Sequence, residues 1–248
     1  MQVWRAILGT AAAGILAVCA SGPAFAGPPF LSDDPDPTPH RHYEIYAFVS
    51  AAFLRGAEAY DMGIDFNYGA GEDLQLTATL PFSVEREDGA GTLSGAGNIE
   101  LAAKFRFLHQ ESFGLNVAVF PRVFLPSTSD IGEDHAALLL PIWIGREWED
   151  GSMFGGGGCV INRGGDSQDY CIAGWALNHR FTPNLQIGGE VYHEGADTKG
   201  GFASTVLGVG ATYDLNDTVH LLGYVGAGLE NAAETGREIG YASILFTF

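Results

Sequence analysis

From His42 to the end of the chain, side chains change character with a period of two. "YEIYAFVSA" sets Tyr43, Ile45, Ala47 and Val49 against Glu44, Tyr46, Phe48 and Ser50. "YDMGIDFNY" sets Tyr60, Met62, Ile64, Phe66 and Tyr68 against Asp61, Gly63, Asp65 and Asn67. "DLQLTATLPFS" and "NIELAAKFRF" repeat the pattern, the latter with Glu100, Lys104 and Arg106 on its polar face. Period two means strands with one apolar and one polar face, and no stretch has the 3.6-residue period of a helix. The 35 glycines also disfavour a helical fold.

Eight further segments read as strands: "LNVAVFPRVFL", "AALLLPIWIGREW", "SMFGGGGCVIN", "DYCIAGWALNHRF", "NLQIGGEVYHE", "STVLGVGATYDL", "TVHLLGYVGAGL" and the tail "GYASILFTF". The total is about twelve strands of roughly ten residues. Their connections alternate in length. "GAGED", "HQES", "EDG", "FTPN" and "LND" are short, whereas "VEREDGAGTLSGAG", "PSTSDIGEDH", "INRGGDSQD", "HEGADTKGGFAS" and "ENAAETGRE" are long. Short periplasmic turns, long extracellular loops and an even strand count describe a single transmembrane antiparallel up-and-down β-barrel. An even count puts both termini on the periplasmic side. A secreted β-sandwich would alternate too, but its outer face would be richer in charge than the thin Gly- and Ala-rich polar face here.

The first 26 residues read as a cleaved signal peptide: Arg5, the apolar run "AILGTAAAGILAV", and "AFA" before Gly27. Val18 before Cys19 is too bulky for a lipoprotein cleavage site. The Pro-rich, acidic "GPPFLSDDPDPTPHRH" follows, and residues 27–41 read as an exposed periplasmic leader before a barrel over 42–248. The formal net charge of −18 becomes −19 once the signal takes Arg5 away. That excludes nucleic acid as a partner, which needs a basic footprint.

In a membrane barrel, apolar side chains meet lipid and polar ones meet the lumen. The lumen and selectivity candidates are therefore Glu44, Asp61, Asp65, Glu100, Lys104, Arg106, Arg122, Glu190 and His220. Lys104, Arg106 and Arg122 share one wall. Buried charge needs a partner. The cations and carboxylates form either opposing walls with a transverse field or an interior salt-bridge network.

Little else carries chemistry. "FGGGGC" lacks the Lys-Ser/Thr and the helix of a phosphate loop; its glycines mark a close approach, with Trp143 or Trp175 able to cover them. Cys159 and Cys171 flank the hairpin loop symmetrically and can form a cross-strand disulfide in the oxidising export route. His40 and His42 read as polar leader rather than as metal ligands, and no metal or other cofactor is expected. Outward His179 lacks a neighbouring serine for a lipid hydrolase, so the chain does not read as an enzyme.

"PPFLSDDPDPTPHRHYEIY", "FGGGGCVIN", "IAGWALNHRF", "LQIGGEVYHEGADTKGG" and "YDLNDTVHLLGYVGAGLEN" resemble, in this order, segments of a largely uncharacterised proteobacterial family of outer-membrane transporters. That family is related to the barrel proteins found with meta-pathway phenol degradation. The resemblance implies an outer-membrane barrel that passes a small solute, and it transfers no site residue. The expected partners are outer-membrane lipid, the barrel-assembly machinery and an unidentified small solute. Phe246 and Phe248 have the parity of a lipid-facing last strand and serve as the assembly signal. Their strand should close the barrel on "YEIYAFVSA", which leaves no sheet edge.

Overall fold

The computed structural model describes residues 29–248, so the expected signal peptide lies outside the described residues. The strands are β1 (Tyr43–Leu54), β2 (Ala57–Gly69), β3 (Leu74–Glu87), β4 (Gly91–Ala96), β5 (Glu100–Leu108), β6 (Asn116–Val119), β7 (Arg122–Phe124), β8 (Ala137–Trp148), β9 (Gly151–Asn162), β10 (Tyr170–Thr182), β11 (Leu185–Glu194), β12 (Ser204–Asp214), β13 (Val219–Gly228) and β14 (Glu238–Thr247). Two one-turn helices, α1 (Gln110–Phe113) and α2 (Ala232–Thr235), interrupt the connections.

The fourteen segments form twelve staves of one closed antiparallel sheet. β4 and β5 both pair with β3, and β6 and β7 both pair with β8, so each couple is one stave with a break. The break between β6 and β7 falls at Phe120–Pro121, where proline has no N–H for the ladder. The stretch "VEREDGAGTLSGAG", expected as a long loop, is mostly a hairpin: Phe82 pairs with Ala96 and Glu87 with Gly91. Its alternating Val84 and Glu85 continue the pattern of β3 beyond the expected strand end.

β14 pairs antiparallel with β1 along its length, Glu44 opposite Thr247 and Phe53 opposite Glu238. Beyond the strand, Tyr43 and Phe248 exchange two backbone hydrogen bonds of 3.0 Å. Closure on the first strand therefore follows the sequence expectation.

The two faces separate cleanly. Outward Ile64, Leu80, Leu177 and Val209 stay 43%, 56%, 55% and 54% exposed, which only a lipid surround makes tolerable. Inward Asp65, Glu100, Lys104, Arg122 and Glu190 are buried. The burial order is that of a transmembrane barrel, inverted from a soluble sandwich. Cys159 and Cys171 face each other in the β9–β10 ladder on the outward face and are disulfide-bonded. Outward Trp175 lies over Gly155, whose missing side chain leaves room for its ring.

Candidate functional site

The leader does not sit outside the barrel. Phe30, Leu31, Ser32, Asp33 and Thr38 are all buried, and the segment from Pro29 to Thr38 runs within the lumen as a plug. The expectation of an exposed leader is corrected here. Its prolines bar it from a sheet, yet the lumen wall supplies what its backbone and carboxylates need.

Three anchors hold the plug. The Phe30 ring meets Phe154 and Tyr224 edge-on, with centroids 6.1 and 5.9 Å away. Gly188 and Gly210 make room for it: a Cβ at either would come within 2.9 and 3.0 Å of its ring. Glu190 accepts hydrogen bonds from the Leu31 and Ser32 amides, the first at 3.0 Å. Gln75 accepts one from the Thr38 amide at 2.8 Å. Backbone donors that would otherwise be orphaned are thereby satisfied.

The carboxylates meet the basic wall. Lys104 donates to Asp33 at 2.8 Å and to Asp34 at 3.4 Å. Arg122 also donates to Asp33. Arg106 spans Asp36 at 2.7 Å and Asp73 at 3.1 Å, and Asn116 donates to the same oxygen of Asp36. The ring of Phe120 lies beneath Lys104 and Arg122, 4.9 and 4.3 Å from their charged groups. The expected interior pairing exists, but its partners are chiefly plug carboxylates rather than an opposing wall.

The remaining candidates take separate positions. Asp65 accepts from Thr79 and Asn67 at 3.1 and 3.3 Å, and Asn67 accepts from Gln75, which links this wall to the plug. Asp61 is hydrogen-bonded by Ser83. Glu100 lies 3.7 Å from Arg122. Glu44 lines the lumen beside Tyr46. His220 contacts Asp214 at 2.7 Å and Thr247 at 3.3 Å, so it clasps three strands near the turn end. Between the plug and the wall remains a cavity of about 370 Å³, lined among others by Asp34, Glu44, Asn67, Gln75, Lys104 and Thr212.

The sequence reading missed the plug's Asp33, Asp34 and Asp36, and also Arg237, which pairs with Glu194 at 3.0 Å near the loop end. A signal existed: three leader carboxylates match three cations on one wall. Above that pair, residues 163–169 and 195–203 join through the Gln168 amide to Asp197 O at 2.7 Å and the Lys199 amide to Asp166 O at 2.9 Å. Burial pushes the Asp197 carboxyl up to about 7, and the charge of Glu194 adds to this.

Residues 56–246 match the family described as "Putative MetA-pathway of phenol degradation". The chain belongs to this family. Its fold is also that of solved barrels. It resembles an outer membrane channel from Pseudomonas putida F1 at 15% identity and TM-score 0.68, over 87% of this chain and 98% of that one. The translocator domain of the autotransporter NalP from Neisseria meningitidis matches at 14% identity and TM-score 0.56, over 98% and 97%. The KdgM porin in complex with disordered oligogalacturonate matches at 8% and 0.55, over 82% and 99%. No curated protein matches the sequence. The closed sheet and its exposed apolar belt make this a β-barrel of the bacterial outer membrane.

Proposed function

We propose that this outer-membrane barrel is a channel for a small solute, which passes through the charged lumen beside the plug. The cavity of about 370 Å³ between plug and wall carries the reading. Its lining mixes Asn67, Gln75, Gln186 and Thr212 with Pro37, Leu222 and Leu245, and the polar groups offer a small hydrated solute its hydrogen bonds. Small-molecule sites are of this size or somewhat larger.

The buried plug also favours a second reading, a structural barrel whose lumen is filled for good. Liposome swelling separates the two. Vesicles holding the purified protein should swell in small sugars or amino acids at a rate that falls with solute size. Swelling no faster than in empty vesicles, together with silent planar bilayers, would overturn the channel and leave the filled barrel.

A further inference from the structure

The charges left over once the plug is seated point to a preference among solutes; this inference rests on the channel reading above. Lys104, Arg106 and Arg122 are each engaged by Asp33, Asp34 or Asp36. The remaining inward cation among the described residues that is buried, Arg237, is held by Glu194. The wall that looks basic in sequence is thus spent on the plug.

The carboxylates are not spent in the same way. Lys104 and Arg122 both hold Asp33, so Asp34 keeps only the longer, shared contact with Lys104. With Glu100 beside Arg122, these two cations face three carboxylates and the cluster keeps a net negative charge. Asp34, Asp36 and Glu44 all line the cavity, against Lys104 alone among cations. Glu100 is 1% exposed, neither of its oxygens has a hydrogen-bond donor, and its ion pair with Arg122 spans 3.7 Å. A buried carboxylate without donors is stabilised by any cation that reaches it. Low-dielectric walls focus such a field along the path.

We infer that the plugged lumen selects for cations, so that the preferred solute carries an ammonium or comparable positive charge, with Asp34 and Glu44 acting at the cavity and Glu100 deeper in the lumen. The plug sets this sign because it converts the cationic wall into a neutral one.

Reversal potentials in planar bilayers test this, with the full mature chain under a potassium chloride gradient and then a tetramethylammonium chloride gradient. Potassium should be favoured over chloride by about tenfold or more, a ratio within reach of a focused field. The double variant Asp34→Asn/Glu44→Gln should lower that ratio several-fold while conductance persists. Deleting residues 29–37 should raise conductance and bring the ratio toward unity, because Lys104, Arg106 and Arg122 lose their partners. If the deletion fails to insert, the double variant alone decides. A conducting wild type that prefers chloride or discriminates not at all overturns the inference and leaves the channel standing. An unchanged ratio in the double variant overturns it too. A silent wild type overturns the channel reading itself.

Discussion

Asp33 accepts a 2.8 Å hydrogen bond from Lys104 across 71 positions of sequence, and the two side chains are only 3% and 2% exposed. The pair joins plug to wall in a place where either charge alone would be costly. Asp33→Asn should therefore destabilise the barrel by about 3–5 kcal/mol, the cost of breaking a buried pair. Lowered heat resistance of the folded band in gel mobility reads this. Adding Lys104→Met should recover part of the loss, since a matched apolar replacement removes the stranded charge. A single variant as heat-resistant as the wild type would count against the pairing.

Phe30→Ala should loosen the plug and spare the barrel. The ring fills a socket between Phe154 and Tyr224, and truncating a buried phenylalanine costs about 3–5 kcal/mol. Ser32 is 1% exposed, so a cysteine placed there reports on the seat. Maleimide should label Ser32→Cys slowly in the wild-type background and much faster with Phe30→Ala. Equal rates would show that the ring does not anchor the segment.

The disulfide between Cys159 and Cys171 closes a short loop at the ends of β9 and β10. On a chain-entropy account, a loop of this size contributes roughly 3 kcal/mol. The double variant Cys159→Ala/Cys171→Ala should insert normally and unfold at a lower temperature. Reductant should shift the wild type by the same amount and leave the variant unmoved.

The seam between residues 163–169 and 195–203 should weaken as pH rises. The carboxyl of Asp197 is raised from 3.8 to about 7, so the folded loop holds this proton more tightly than the unfolded chain does. Its contribution is complete below the unfolded value and is lost as pH climbs through about 7. Protection of the Gln168 and Lys199 amides, corrected for intrinsic exchange, should fall across that window. Asp197→Asn should flatten the dependence, and a variant that keeps the full slope would remove Asp197 from the explanation.

Deleting Phe248 should impair assembly. Tyr43 and Phe248 trade two backbone hydrogen bonds, and Phe248 remains 59% exposed on the lipid side. The shortened chain should fall several-fold in the outer-membrane fraction and accumulate as unfolded precursor. Normal insertion would argue against a role for the terminal aromatic.

The barrel was legible because period two is a local signal. Glu44, Asp65, Glu100, Lys104 and Arg122 could each be placed on the inner face by parity alone. Twelve staves and the closing pair of strands followed from the same counting. The plug was not legible, because "PPFLSDDPDP" has no periodicity and its contacts with Lys104 and Glu190 span 71 and about 158 residues, so nothing local reports them. Pro121 was visible as a ladder breaker, yet β6 and β7 read as one strand because both halves keep the same parity. The extra length of β3 was lost to the glycines that follow it, which read as loop whether or not the chain is paired.

The joining of Asp33 to Lys104 and Arg122 also bears on how the gene can change. A mutation that neutralises one member leaves a deficit that only a change at a distant codon repairs, so the leader and the fifth and seventh strands are expected to drift together. Among family members, a neutral residue at the position of Lys104 should travel with a neutral one at that of Asp33, and a leader grafted from a distant relative should arrive with the wrong complement of charges for its new host.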